Sequence, residues 1–221
     1  HYYGGIKHYQ WVTLPLALHG VVAKTDGTVV DVNVGDDAGD PVFCVTDLLP
    51  HLGNQQMAKK GSEVVEGENL DVLIGNRPLV VEPADDASDE EKAAAKEPVK
   101  AFALKLLEEK YGITEEDFLS AEIEVVPAGR ARELGFDRSM VIGYGQDDRV
   151  CAYTSLEAQL AIETPKKTAV TVLVDKEEIG SVGATGMGSL FFENTIAEIA
   201  ALTGSESPLA LRRILAASRM L

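Results

Sequence analysis

The feature that most constrains the fold of this chain is the apolar run TAVTVLVD, residues 168–175. The run is rich in β-branched side chains, which favour strands. It also lacks the polar–apolar alternation of a strand with one face in water. Strands that are buried on both faces have this pattern, and they occur in parallel sheets covered by helices. The run therefore predicts a parallel sheet in this part of the chain.

The segments on either side of this run alternate between strand and helix patterns. Before it, residues 139–145, SMVIGYG, predict a strand, and the segment DDRVCAYTSLEAQLAIE that follows has helical spacing. After it, SLFFENTIAEIAALTG predicts a helix with Ser189 as its N-cap and Gly204 just beyond its end. Ser207-Pro208 opens a further helix. Strands and helices that alternate in this order indicate an α/β fold with a parallel sheet.

Residues 1–82 have a β-rich pattern instead. Two β-branched runs flank Asp26-Gly27, a dipeptide that favours a tight hairpin because both central positions of such a turn need positive φ. The segments PVFCVTDLLPHL and LDVLIGNRPLVVE add short strand-like stretches. Further along, AEIEVVPAG alternates like a half-exposed strand.

A polar segment and a helical segment follow this β-rich part. Residues 83–97, PADDASDEEKAAAKE, are charged and without periodicity, which predicts an exposed loop. Pro98 then opens a helical pattern that Gly112 ends. Thr114 and Asp117 have the spacing of a capping box for a short following helix.

These patterns predict two domains with a boundary between residues 126 and 140. The β-rich domain is expected at 1–138 and includes the helix near 98–111. Part of an α/β domain is expected at 139–221.

The chain is strongly acidic, with 36 Asp and Glu against 20 Lys and Arg and a formal net charge of −16. This field repels phosphate groups, so we expect neither nucleic acid nor an anionic membrane as a partner, whereas metal cations are favoured. Cys44 and Cys151 are far apart and form no CxxC motif, which favours the reducing cytoplasm. No apolar run approaches the ~20 residues that a membrane-spanning helix needs.

Two adjacent carboxylates, Glu177 and Glu178, follow the apolar run and precede a glycine-rich loop. Three interpretations are open. In the first interpretation, the loop binds phosphate at the start of the next helix. Its glycines, however, fit neither GxGxxG nor a P-loop, and the two glutamates repel phosphate. Alternatively, the glutamates are exposed at a strand end and the glycines only form a turn. In the third interpretation, one glutamate binds a metal ion and its neighbour is the general base for a metal-bound water.

A second acid pair, Asp147 and Asp148, supports the metal interpretation. This pair also follows a predicted strand and precedes a predicted helix. The carboxyl ends of parallel strands meet at one edge of a sheet. Two metal ions ~3.5–4 Å apart need a bridging carboxylate. By itself the pair is equally well explained as a helix N-cap with a favourable dipole interaction. Both acid pairs together favour a metal-dependent hydrolase.

Three segments resemble the aspartyl aminopeptidase and yeast vacuolar aminopeptidase I family of binuclear zinc peptidases, namely VLVDKEEIGSVGATGMGS, GQDDRVCAYTSLEA and YYGGIKHYQWVTLPLALHGVV. The segment DLLPHLGNQQ is similar to the inserted domain of that family. The resemblance covers nearly the whole chain and implies a metalloaminopeptidase that hydrolyses N-terminal residues from peptides. It also implies the fold, which is part of a parallel-sheet catalytic domain preceded by an inserted β-rich dimerisation domain.

The resemblance implies a role for each of three acidic residues. Asp147 bridges two divalent metal ions and is followed by a cis peptide. Glu178 binds one of the ions, and Glu177 is the general base that activates the water between them. Zinc is the expected metal, with cobalt or manganese as alternatives because oxygen-rich sites accept several divalent ions.

The resemblance also extends to one histidine and to the oligomeric state. His51, in LLPHL, matches a family histidine that reaches across the dimer into the substrate pocket of the partner. The alternative is a plain loop histidine after Pro50. We interpret His8 and His19 as structural. The family implies self-association to dimers and to a dodecamer.

The chain departs from the family in its ligand set. The family needs an H-x-D motif before the inserted domain, and a further Asp and His downstream. No H-x-D motif occurs here, and only Asp147 and Glu178 of the five expected ligands are present. We therefore expect the middle part of a longer enzyme, inactive by itself; its opening at His1 supports this expectation. The competing hypothesis is a non-catalytic dimerisation or assembly module.

Overall fold

The computed structural model describes residues 4–79, 88–175, 186–205 and 207–220, with the backbone alone at Glu90 and Glu91. The chain divides into two compact units. The first unit is Lys7–Gln146, and the second unit combines His1–Ile6 with Asp147–Leu221.

All strands of the described residues lie in the first unit. They are β1 (Leu16–Ala23), β2 (Val29–Val34), β3 (Cys44–Val45), β4 (Val72–Leu73), β5 (Ala121–Pro127), β6 (Arg132–Leu134) and β7 (Met140–Ile142). The main sheet has the order β2-β1-β5, and separate ladders join β3 to β4 and β6 to β7. Every ladder is antiparallel. The strand predictions for the first half of the chain are confirmed.

Helices occur in both units. They are α1 (Asn54–Met57), α2 (Asp89–Lys96), α3 (Pro98–Tyr111), α4 (Gln146–Leu160), α5 (Phe191–Leu202) and α6 (Ala210–Ala217), with 3₁₀ turns at His8–Gln10, Gly67–Asn69 and Glu116–Ser120. No helix in the described ranges is both long and apolar enough to span a bilayer.

The predicted hairpin joins β1 to β2, but its turn is one residue longer than expected. Gly27 has a φ of 84°, whereas Asp26 does not have a positive φ. The N–H of Gly27 donates to the carbonyl of Lys24 at 2.9 Å, and the N–H of Lys24 donates to Thr28 at 2.7 Å. These bonds leave three residues in the loop and put the positive φ on the glycine, as in a turn followed by a glycine bulge.

The core of the first unit lies on one face of the main sheet. Val22, Val32 and Val34 form a buried cluster with Ile113. The valines share a face because alternate residues of a strand point the same way and the pairing register aligns them. Gly20 of β1 lies opposite Ile123 of β5. A Cβ atom at Gly20 would be 1.9 Å from the carbonyl oxygen of Glu122. The close pairing of β1 with β5 therefore requires glycine at this position.

The end of α3 delivers Ile113 to this core. Gly112 ends the helix in the left-handed region with a φ of 63°, and Ile113 is fully buried. The carboxylate of Asp117, itself buried, accepts bonds from the N–H of Thr114 at 2.8 Å and from its hydroxyl at 2.9 Å. These bonds, led by the backbone N–H, lower the pKa of Asp117. The bond from the Thr114 N–H is one half of the predicted capping box. The other half is not observed, because the Thr114 hydroxyl donates to Asp117 and the N-cap of the following 3₁₀ turn is Glu115, which forms no side-chain cap bond.

The prediction of a loop over residues 83–97 is wrong for its second half. Asp89–Lys96 forms α2, while residues 83–87 lie outside the described residues. The composition explains the helix, because Ala, Glu and Lys have high helix propensity and need no buried face to form a short helix. Lys96 in the last turn interacts favourably with the helix dipole.

The predicted strand at residues 168–175 is not observed, and the described residues contain no parallel sheet. The backbone there forms no ladder. Val170 and Leu173 are 55% and 61% exposed. A strand requires a neighbour for its N–H and C=O groups, and no described segment pairs with this run. One isolated parallel bridge, between Val12 and Val45, belongs to the first unit.

The predicted helices of the second half are confirmed. Ser189 lies one residue before the N-cap position of α5, and its hydroxyl oxygen accepts the N–H of Phe191 at 3.2 Å. Gly204 follows the helix with a φ of 86°. The hydroxyl of Ser207 accepts the N–H of Leu209 at 3.3 Å before α6 begins.

Candidate functional site

Asp147 lies in the first turn of α4, directly after β7 and a short turn. Asp148 is in the same turn, and both side chains are exposed. The predicted placement between a strand end and a helix start is confirmed for this pair. The N-terminal end of a helix interacts favourably with negative charge, so it is a favourable position for these carboxylates. The cis peptide that the family resemblance implies after Asp147 is not observed.

The turn that leads to α4 is fixed by contacts within the first unit. The side-chain Nε2 of Gln146 donates to the carbonyl of Val141 at 2.9 Å. The ring of Tyr144 meets Trp11 edge to face, with the ring centroids 6.5 Å apart. A Cβ atom at Gly143 would be 3.1 Å from that of Ala131. The start of α4 therefore has a defined backbone geometry.

The other half of the predicted metal site is Glu177 and Glu178, which lie outside the described residues. In the part of the chain that the structure describes, Asp147 does not belong to any group of three His, Cys, Asp or Glu side chains close enough to share one ion. Its carboxylate has the donor chemistry of a zinc ligand, but the described residues do not complete a zinc site. The assignments of Asp147, Glu177 and Glu178 therefore stay predictions.

His51 lies at an exposed turn in the loop between β3 and α1. We call residues 47–57 the His51 loop. The carbonyl of Leu49 accepts the N–H groups of Leu52 and Gly53, each at 3.0 Å, and so closes the turn around His51. The predicted loop position is confirmed, whereas its contact with a partner subunit stays a prediction.

The histidines interpreted as structural make contacts inside the first unit. Nδ1 of His8 donates to the carbonyl of Val65 at 2.9 Å and so joins the N-terminal turn to a distant loop. Nε2 of His19 lies 2.9 Å from a carboxylate oxygen of Asp36, an electrostatic contact that lacks hydrogen-bond geometry. Both contacts fit the structural interpretation.

A shallow pocket of about 350 Å³ lies beside the His51 loop, and the sequence had not predicted it. Asp47, Gln56, Lys59 and Glu66 are among its lining residues. Lys59 and Glu66 form an ion pair at 2.9 Å, and the hydrogen bond from the ammonium lowers the pKa of the Glu66 carboxyl. The pocket has no local sequence signal, because its walls come together from segments separated along the chain.

The comparison with known families covers every residue. Residues 1–221 match the sequence model of the family described as aminopeptidase I zinc metalloprotease (M18). The chain belongs to the M18 family. It is 60% identical over 221 residues to the probable M18 family aminopeptidase 1 of Clostridium acetobutylicum. That match includes 100% of this chain but only 45% of the relative, so the chain spans about half the length of the curated relatives it matches.

Solved M18 structures give the same result for the fold. A crystal structure of an M18 aminopeptidase from Thermotoga maritima superposes with a TM-score of 0.77 at 46% identity, and covers 96% of this chain and 44% of that one. Aminopeptidase I from Clostridium acetobutylicum superposes with a TM-score of 0.71 at 60% identity, over 91% of this chain and 42% of that one. The mixed α/β character of the chain is therefore that of M18 aminopeptidases.

Proposed function

We propose that this chain is the middle part of a metal-dependent aminopeptidase that removes N-terminal residues from peptides. The observation that carries the proposal is the match of all 221 residues to the M18 family. The 45% coverage of the Clostridium relative supports a longer parent protein. The family description supports zinc as the metal. Two ions are part of the proposal, with cobalt or manganese as alternatives to zinc.

Each acidic residue of the two pairs has a distinct role in this proposal. Asp147 would hold both metal ions, and Glu178 would hold one of them. Zinc, when bound, lowers the pKa of water and polarises the scissile carbonyl. Glu177 accepts the proton of the attacking water and transfers it to the leaving amine, as a general base and then a general acid. The strand-end position of Asp147 at the start of α4 supports its part.

The chain by itself is proposed to be inactive. It contains no H-x-D motif, so Asp147 and Glu178 lack the histidine and aspartate ligands that complete a two-metal site. The exposed apolar side chains of the 168–175 run support the same view. We infer that this run joins a parallel sheet when strands from the rest of the enzyme flank it on both sides.

The two predicted domains are assigned different roles. Residues 1–138 form the inserted dimerisation domain, and 139–221 contribute part of the catalytic domain. In this arrangement His51 of one subunit binds substrate in the pocket of the next, within dimers that assemble into a dodecamer. The exposed position of His51 supports a contact outside its own unit. The strongly acidic charge supports a protein that binds neither nucleic acid nor an anionic membrane. The two cysteines, far apart and outside any CxxC motif, support a cytoplasmic location.

Two substitutions in the full-length enzyme test this function. Glu177→Gln keeps the shape of the side chain but removes the base, so we expect kcat to fall at least ~10³-fold with both metal ions retained. Glu178→Ala removes a ligand, so metal content measured by elemental analysis should fall. Retention of both ions by Glu178→Ala, or full turnover by Glu177→Gln, would contradict the assignment.

A further inference from the structure

The base of the His51 loop is closed by a single carboxylate. Oδ1 of Asp47 accepts the N–H of Leu48 at 2.8 Å and the side-chain Nε2 of Gln56, also at 2.8 Å. Asp47 opens the loop and Gln56 lies in α1 near its end. One oxygen atom therefore joins the two ends of the loop and fixes the distance between them.

The interior of the loop is equally ordered by backbone bonds. In addition to the turn at Leu49, the N–H of Met57 donates to the carbonyl of Gly53 at 2.9 Å, which starts α1. Gly53 is buried, and a Cβ atom there would be 3.1 Å from Oε1 of Gln56 and 3.4 Å from the carbonyl oxygen of Leu49. The turn around His51 therefore packs directly on the Gln56 side chain that Asp47 holds.

The apolar side chains of the loop do not supply this order. Leu48, Leu49 and Leu52 are all more than half exposed. Since burial stabilises a loop in proportion to the apolar area removed from water, these side chains contribute little in the first unit. The main described constraints on the backbone that carries His51 are therefore hydrogen bonds, namely those that Asp47 accepts and those within the turn.

We propose that Asp47 and Gln56 are positioning residues for His51. They hold the loop in the conformation in which the imidazole reaches its target, so that binding does not have to order the loop first. This proposal rests on the proposed function, in which His51 binds the substrate of a neighbouring subunit. It adds two residues that act through His51 and do not touch the substrate.

The test uses the full-length enzyme and a chromogenic aminoacyl substrate. Asp47→Ala and Gln56→Met each remove the bridge, and we expect each to raise KM about threefold to tenfold with kcat changed less than about twofold. Asp47→Asn keeps a carbonyl oxygen that accepts both bonds, so it should restore KM to near the wild-type value. Asp26→Ala is the matched control, because Asp26 also caps a local turn, through the N–H of Thr28 at 2.8 Å, but lies in the β1–β2 hairpin.

A double-mutant cycle separates positioning from a general structural effect. In a His51→Ala background, Asp47→Ala should raise KM less than about twofold further, because the residue on which it acts is already absent. A fully additive effect, or a wild-type KM for Asp47→Ala while His51→Ala raises KM, would overturn the proposal. A loss of metal from the Asp47 variants, or a fall in their Tm large enough to account for the rise in KM, would also overturn it.

The positioning role of Asp47 and Gln56 and the aminopeptidase function can fail separately. If His51→Ala leaves KM unchanged, the role of His51 and the positioning proposal are both refuted. The aminopeptidase assignment is then still decided by Glu177→Gln and Glu178→Ala, which do not involve the His51 loop.

Discussion

The two units of the chain differ in how completely their apolar side chains are buried. Among its described residues, the first unit has nine buried apolar side chains around a three-stranded sheet, and four of them form the cluster of Val22, Val32, Val34 and Ile113. Among the described residues of the second unit, Ala200 is the one apolar side chain that is buried. Helices α4, α5 and α6 form in spite of this difference.

The two units also differ in whether each strand pattern has a partner strand within its own unit. The strands β1, β2 and β5 all belong to the same unit, so their hydrogen bonds and their apolar face are satisfied within it. The 168–175 run has an equally strong strand pattern, but no described strand pairs with it. A strand pattern therefore yields a strand only where another strand is available to pair with it.

The largest expected loss of stability comes from a substitution in the main sheet of the first unit. Gly20→Val places a side chain where the carbonyl oxygen of Glu122 already lies, at 1.9 Å from the Cβ position. We expect the free energy of unfolding of this unit to fall by about 4 kcal/mol or more, because β1 can no longer pair with β5. Urea denaturation monitored by Trp11 fluorescence measures the change. Gly39→Val is the control, since no atom lies within 4 Å of a Cβ there; an equal loss in both variants would contradict the explanation.

The second prediction compares a leucine from each unit. Leu16 is fully buried, so Leu16→Ala should cost about 2–5 kcal/mol. Leu173 is 61% exposed, and Leu173→Ala in the isolated chain should change stability by less than about 0.5 kcal/mol.

The same Leu173→Ala change in the full-length enzyme sharpens the comparison. If flanking strands cover the 168–175 run there, Leu173→Ala should lower the free energy of unfolding by about 2–5 kcal/mol, the range of a core substitution. Thermal unfolding of both proteins measures this. A cost that stays small in the full-length enzyme would show that the run is not a buried strand.

The smallest effect is a pH dependence confined to the first unit. Bonds from Thr114, first its backbone N–H and then its hydroxyl, lower the pKa of Asp117 below its usual value. A carboxyl with a lowered folded-state pKa stabilises the fold above its unfolded pKa of about 3.9 and loses that contribution as the pH falls through the folded value. Stability of the wild type should therefore decline below about pH 4 more steeply than that of Asp117→Asn. Parallel acid titrations of the two proteins would contradict this.

Several parts of the fold could be predicted from the sequence because they depend on near neighbours. Pro98 and Gly112 correctly bound α3, since a helix is limited by local backbone preferences at its ends. The hairpin at Gly27 follows from the same kind of local preference. The helix at Asp89–Lys96 has no apolar periodicity to predict it and forms because Ala, Glu and Lys have high helix propensity.

The candidate site could be predicted only in outline. The order strand, turn, acid pair and helix at Asp147 is a local pattern, and it is present as expected. The bridge between Asp47 and Gln56 has no such pattern, because an Asp and a Gln nine residues apart are common in any surface loop. It emerged only when the loop geometry brought the two side chains together.

Sequence patterns alone determined the family, the hairpin and the helices α3 to α6, because short-range interactions and motif residues specify them. Tertiary structure decided which strand patterns became strands, since pairing depends on residues far away in the chain. It joined Ile113 to the valines of β1 and β2, and it left Val170 and Leu173 exposed. Burial and strand pairing depend on neighbours in space, so an apolar run in the sequence does not by itself determine either of them.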